Sequence, residues 1–365
     1  MEQIKPKKIL IFSLVYYPRF IGGAEVAIKE ITDRIPKEEI EFDIIALRKN
    51  SIFFILWKFL FPFYAFIKAL YLHRKNKYDA IWSMMASYAG FAGFLFKKIY
   101  PEIPFILSIQ EGENFRKREG MFNFLFRKIF SNADHIQVIS KFLSDWSLYM
   151  GAKCPITIVP NGVDLDLFSK RDLEKENKLK ANFNKKENDI FLITTSRLVV
   201  KNAVEDIIDA LSYLPENVKS LILGQGYQEE ELKEKVENLK LKDRVHFLGF
   251  VPHKDMPQYL HISDIFIRPS LSEGFGNSYI EAMAAGIPVI ATPVGGIVDF
   301  LRDGETGLFC EVQNPRSIVQ KIEKLIKDKE SRDYIVQNAI KMVKEKYDWN
   351  IIANDMKNNV FLKTI

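Results

Sequence analysis

The chain has 365 residues, 47% of them apolar and 27% charged, which excludes a disordered, collagen-like or low-complexity polymer and exceeds what one compact core usually organises. Its net charge is only +5, too small to argue for nucleic-acid binding. Its two cysteines, Cys154 and Cys310, cannot build a disulfide framework and lie in no Cys/His cluster, so two domains in a reducing compartment are the starting expectation.

Lys5, Lys7 and Lys8 lead directly into a strand-like run over residues 8–15, without the apolar stretch and cleavage site of a secretory leader. A helical pattern follows over 25–35 and a strand over 42–47. Residues 52–72 are apolar apart from Lys58 and Lys68, and Pro62 is expected to kink or break any helix there. Residues 80–96 form an uncharged stretch of 17 residues, near the lower limit for a membrane span. Ser83, Ser87, Gly90 and Gly93 favour a buried strand at 80–83 followed by a core helix. Further strands read at 105–109 and 135–140. Strands separated by helices imply a parallel sheet covered on both faces.

The turn-rich stretch Val159-Pro160-Asn161-Gly162-Val163-Asp164 interrupts this alternation, and the Lys/Glu-dense segment 169–189 is taken as the domain boundary. Strands then restart at 191–196, 220–223, 245–247, 265–267 and 289–291. Helical patterns lie at 203–214, 229–239, 254–262 and 278–285, with more at 317–327 and 333–346. Two doubly wound α/β domains in tandem are expected, with ligands at the carboxyl ends of the strands.

Three constellations carry chemistry. Gly22-Gly23-Ala24-Glu25 stands between the first strand and the first helix, where backbone N–H groups can approach a phosphate. A tight strand-to-helix turn accounts for the same glycines. Arg197 and Lys201, at the exit of the second half's first strand, can converge on a diphosphate, or else form a surface cation pair. Glu273-Gly274-Phe275-Gly276-Asn277-Ser278-Tyr279-Ile280-Glu281 sets two carboxylates around a glycine-rich turn into a helix. Each carboxylate can accept two hydroxyls of a vicinal diol, and the turn suits an anion.

These residues resemble the retaining GT-B glycosyltransferases of family four, also described as glycosyl transferases group 1. The likeness spans nearly the whole chain, through Gly22-Gly23-Ala24-Glu25, Val159 to Asp164, and Arg197 with Lys201. It continues through Gly224-Gln225-Gly226, Arg244 to Gly249, Glu273 to Glu281 with Ala282-Met283-Ala284-Ala285-Gly286, and Pro293-Val294-Gly295-Gly296. The resemblance implies two Rossmann-like domains facing across a cleft: an acceptor-side domain at 1–168 and a nucleotide-sugar domain at 169–346. A last helix at about 347–365 is expected to pack back on the first domain.

The resemblance also implies roles. Gly22 and Gly23 place backbone near the donor phosphates, Arg197 and Lys201 hold the diphosphate, Glu273 meets sugar hydroxyls and Glu281 the ribose. Gly274, Phe275, Gly276 and Asn277 close over sugar and phosphate through their amides. The donor is a UDP-, GDP- or ADP-sugar, used as substrate, with neither cofactor nor metal. Asp164-Leu165-Asp166 imitates a metal motif but is read as structural. A phosphorylase, a sugar-nucleotide epimerase or a silent polysaccharide-assembly subunit on the same fold remain alternatives.

There are departures from the family pattern. Gln110 stands on the acceptor side where a His commonly lies, and its amide cannot serve as a base; Glu111 and Glu113 beside it are acceptor-side candidates or ordinary loop acids. Ser196 and Asn202 replace glycines, and Asp299 a Glu.

Division of the charge sharpens the picture. Residues 1–165 carry 23 basic and 16 acidic side chains, whereas 166–365 carry 29 and 31. Residues 44–130 hold 22 of the 47 aromatics. A buried helix of a Rossmann-like half would be as apolar over 52–72, but the nearby basic residues to 77 point to an anionic membrane surface, on the cytoplasmic side of the cell membrane. The resemblance implies a saccharide or lipid-linked acceptor.

Overall fold

The computed structural model describes residues 5–16, 22–47, 54–110 and 123–365. They fall into two compact units, Met1–Asn161 with Trp349–Ile365, and Gly162–Asp348.

The first unit is a parallel sheet of β1 (Lys7–Phe12), β2 (Ile40–Ile45), β3 (Ala80–Met84), β4 (Phe105–Ile109), β5 (His135–Val138) and β6 (Ile156–Ile158), in the order β2-β1-β3-β4-β5-β6. β3 and β4 are buried along their whole length, as a sheet covered on both faces demands. Across them Trp82 Nε1 donates to Ser108 Oγ at 2.7 Å, while the buried Ser83 Oγ of β3 has no hydrogen-bond partner. The helices are α1 (Gly23–Arg34), α2 (Phe54–Asn76), α3 (Tyr88–Ile99), α4 (Asn123–Phe130) and α5 (Lys141–Tyr149). Ala24, Ala27, Ile28 and Ile31 of α1 follow helical spacing and pack with Ile9, Ile11 and Trp82 of the sheet. Trp349, Ile352 and Ala353 of the C-terminal helix (Trp349–Asp355) join the same cluster, with Met356, Val360 and Phe361 of the π-helical turns that continue it.

Of the kink or break expected at Pro62, the break does not occur: α2 runs on through it. Phe61, Ala65, Ala69 and His73, four residues apart along one stripe, are all buried, and α2 packs lengthwise on α3. That packing outweighs the lost backbone bond, a loss of about 3 kcal/mol in an isolated helix.

The second unit is a parallel sheet of β7 (Ile190–Thr195), β8 (Val218–Leu223), β9 (Val245–Gly249), β10 (Ile265–Arg268), β11 (Val289–Ala291) and β12 (Leu308–Phe309), ordered β12-β11-β10-β7-β8-β9. Its helices are α6 (Leu165–Ser169), α7 (Leu173–Asn182), α8 (Val204–Leu211), α9 (Glu229–Asn238), α10 (Met256–His261), α11 (Asn277–Ala284), α12 (Pro315–Lys327) and α13 (Lys329–Lys346). Leu192, Ile222, Ile267 and Ile290 of the sheet meet Ile207, Ile208 and Leu211 of α8 and Ile318, Ile322 and Leu325 of α12 in one core. β7 has β8 on one side and β10 on the other, so the strand order reverses there. Loops leaving the carboxyl ends of β7 and β10 therefore flank a topological switch point.

The division falls earlier than the polar segment suggests, because residues 162–168 lie with the second unit. The Val163 N–H donates to the Tyr347 carbonyl at 2.7 Å, and the Phe168 ring, fully buried, meets the His253 ring at 5.2 Å. An apolar anchor of this kind decides membership; the charged segment after it is helix α7, not a linker. Asp164 caps α6 by accepting from the Leu167 N–H at 3.0 Å.

Candidate active site

Both candidate cations stand on the loop that leaves β7. Arg197 is exposed and Lys201 half-buried in the short turn Val200–Asn202. Asn202 Nδ2 donates to the Arg197 carbonyl at 2.6 Å, and Ala203 closes the turn in the left-handed region at φ 48°. The Gly224-Gln225-Gly226 loop from β8 lies against this turn, the Leu198 N–H donating to the Gln225 carbonyl at 3.0 Å. A side chain at 224 or 226 would overlap the carbonyls of Ser196 and Leu198, which accounts for both glycines.

The candidate carboxylates come from the loop that leaves β10. The two loops are joined across the switch point: the Leu271 N–H donates to the Lys201 carbonyl at 2.7 Å. Glu273 is buried and ion-paired to Arg268, the last residue of β10. Its Oε1 also accepts from the Gly274 N–H at 3.2 Å, and its carbonyl from the Gly296 N–H at 3.1 Å. Arg268 further donates to Ser278 Oγ at 2.6 Å and Ser270 Oγ at 3.1 Å, with its guanidinium over the Tyr279 ring. Burial opposes that guanidinium charge, yet Glu273 and Tyr279 hold its pKa above the ordinary value. Burial likewise pushes the Tyr279 phenol up to about 12, so it stays a neutral donor to the Arg268 carbonyl at 2.9 Å.

Gly276 caps α11 at φ 95°, and the Phe275 side chain turns inward against Phe300 and Tyr347. Gly274, Phe275, Gly276 and Asn277 therefore offer main chain. Glu281, in the second turn of α11, meets His253 Nε2 at 3.0 Å. Arg197, Lys201, Glu273 and Glu281 thus all stand on elements at or just after the carboxyl ends of β7 and β10.

In the first unit, Gly22 caps α1 and Gly23 begins it. Burial raises the pKa of the Glu25 carboxyl, while the N–H groups of Glu25 and Gly22 oppose that rise. Gln110, just past β4, accepts from Asn161 Nδ2 at 3.2 Å through its amide oxygen. Glu111 and Glu113 lie outside the described residues. Among the described residues no group of three or more His, Cys, Asp or Glu is arranged to hold a metal ion.

Sequence reasoning missed Arg268 and His253. A charged residue ending the apolar run Ile265-Phe266-Ile267, five positions before Glu273, was a usable signal for the first. Nothing in the spacing of His253 relates it to Glu281.

The family described as Glycosyltransferase Family 4 matches residues 21–167, and that described as Glycosyl transferases group 1 matches residues 175–342. The chain belongs to the glycosyltransferases of GT-B fold, a two-domain class of enzymes with a Rossmann-like sheet in each half. It is 27% identical to an uncharacterized glycosyltransferase of Methanocaldococcus jannaschii, over 96% of this chain and 97% of that one. It is 33% identical to the capsular polysaccharide biosynthesis glycosyltransferase CapM of Staphylococcus aureus, over 56% of this chain and 54% of that one. Among solved structures, HepE of Anabaena in complex with UDP-glucose superposes with a TM-score of 0.81 at 21% identity, over 98% of this chain and all of that one.

Proposed function

We propose that the enzyme is a retaining glycosyltransferase that moves a sugar from a nucleoside-diphosphate donor to a saccharide or lipid-linked acceptor. One observation carries the donor assignment: the Leu271-to-Lys201 main-chain bond, which ties a loop bearing two cations to a loop bearing a buried carboxylate. A departing diphosphate gathers negative charge, and fixed cations stabilise that charge most where it builds. Arg197 and Lys201 supply the positive charge, so the reading needs no metal. Glu273, its plane set by Arg268, accepts sugar hydroxyls; Glu281 accepts the ribose diol; the amides entering α11 receive phosphate. Attack from the face of the departing phosphate lets that phosphate take the acceptor's proton, so the inert amide of Gln110 is no obstacle. HepE in complex with UDP-glucose is consistent with such a donor.

The acceptor side is proposed from α2, which has a second apolar face. Trp57, Leu60, Tyr64, Ile67 and Tyr71 repeat at helical spacing and are exposed, Ile67 at 65% and Tyr71 at 68%. Lys58, Lys68, Arg74 and Lys75 lie along the same helix, and Lys68 sits over the Tyr64 ring at 5.7 Å. Aromatic and cationic groups together suit an anionic bilayer surface. No helix among the described residues is long and apolar enough to cross a membrane, and the reading is of a peripheral enzyme on the cytoplasmic face.

Calorimetric titration with UDP, GDP, ADP and their nucleosides tests the donor assignment. Wild type is expected to prefer one diphosphate over its nucleoside, and Arg197→Ala/Lys201→Ala to lose most of that preference. Equal affinity of wild type for diphosphate and nucleoside would refute it.

A further inference from the structure

Glu281 has a partner that no motif predicts. Its Oε1 lies 3.0 Å from Nε2 of His253, in the single turn His253–Asp255 that follows β9. The carboxylate is 13% exposed and the imidazole 35%. A carboxylate only accepts, so this contact requires the proton of His253 to be on Nε2.

The imidazole is itself held in place. The buried Phe168 ring meets it edge to face at 5.2 Å. The Phe168 carbonyl in turn accepts from His261 Nε2 at 2.8 Å, and His261 Nδ1 is 3.5 Å from Glu176, which is ion-paired to Arg171. Contacts therefore run from α7 through α10 and α6 to the turn after β9 and on to α11. One oxygen of Glu281 is thereby engaged by an imidazole that is itself packed against Phe168.

We propose that His253 is a positioning residue for donor binding: it engages one oxygen of Glu281 and so sets the carboxylate plane in which the other oxygen meets a ribose diol. The inference rests on the donor reading above, because Glu281 is there the acceptor of the ribose hydroxyls. Recognition of two adjacent hydroxyls by one carboxylate depends on that plane, since both bonds need good angles at once. A hydrogen-bond partner outside the ligand is how such groups are commonly fixed.

The test compares a nucleoside diphosphate with the same nucleotide carrying dideoxyribose, which lacks both hydroxyls. UDP, GDP and ADP are titrated calorimetrically into the full-length chain, and the one that binds is carried forward with its dideoxy counterpart. His253→Ala is expected to weaken the ribonucleotide by about 10-fold, the worth of a hydrogen bond to a charged group, and to leave the dideoxy nucleotide nearly unchanged. His253→Gln, whose amide nitrogen reaches the place of Nε2, is expected to restore most of the ribonucleotide affinity. In turnover, His253→Ala raises the donor KM more than it lowers kcat. Thermal melting of each variant reports any loss of fold separately. Equal weakening of both nucleotides, or no weakening of either, overturns the positioning role while leaving the donor reading intact. Failure of wild type to bind any of the three nucleotides overturns the donor reading and this inference with it.

Discussion

Arg268 ends β10 with its guanidinium on the carboxylate of Glu273, both side chains buried in the interior of the second unit. The pair joins strand to glycine-rich loop, and the same guanidinium holds Ser270 and Ser278. Its loss leaves a buried carboxylate without compensation. Arg268→Met is therefore expected to cost about 3–5 kcal/mol, read by urea denaturation. Arg268→Lys keeps the charge but not the planar fork and should fall between wild type and Met.

Two glycines with positive φ make a paired comparison. Gly295 at φ 56° lies where a side chain would overlap the Glu273 carbonyl, whereas Gly304 at φ 76° has nothing within 4 Å. Gly304→Ala pays only for backbone conformation, about 1 kcal/mol. Gly295→Ala must also push the Glu273 loop aside, and at least about 2 kcal/mol more is expected. Chemical denaturation of the two variants side by side gives the difference.

Asp206, in the first turn of α8, has a buried Oδ2 without a hydrogen-bond partner. Burial, then the nearby Glu205 and Asp209, push its pKa from 3.8 up to about 6. The folded state thus binds this proton more tightly than the unfolded chain. The stability it contributes is complete below about pH 4 and is lost as pH rises through about 6. The full difference is at most about 3 kcal/mol. Asp206→Asn removes the penalty, so its stability relative to wild type should be greater at pH 8 than at pH 4.5, in melts at the two values.

Much of this was legible in the chain. Period-two and continuous apolar runs mark every strand except β12, which has two residues, and β6, which has three residues like β11 but is half-buried to exposed where β11 is fully buried. Arg197, Lys201, Glu273 and Glu281 are readable because strand exits and glycine turns have local signatures. His253 and Arg268 are not readable in that way, since their partners are chosen by tertiary packing. Residues 162–168 were misassigned for the same reason: a single buried Phe168 outweighs a conspicuous run of charge. The unbroken run of α2 through Pro62 is not readable from sequence, because helix propensity is local and the packing of α2 on α3 is not.

The two faces of α2 behave differently under substitution. Ile67→Glu/Tyr71→Glu alters exposed positions and should leave the melting temperature nearly unchanged. It should nonetheless reduce sedimentation with anionic vesicles severalfold, in a salt-dependent manner. Phe61→Glu strikes the buried stripe and should unfold the first unit. Vesicle binding indifferent to the Ile67/Tyr71 pair would remove the membrane from the proposal.

The donor site as a whole is best examined by nucleotide release from UDP-, GDP- and ADP-sugars, with wild type, Lys201→Ala and Glu273→Gln compared at equal folded fraction. The expected result is release from at least one donor by wild type, with each variant slower by about a hundredfold, the usual loss when one transition-state charge partner is removed. Release from none of the donors by wild type, or release by both variants at the wild-type rate, would contradict it.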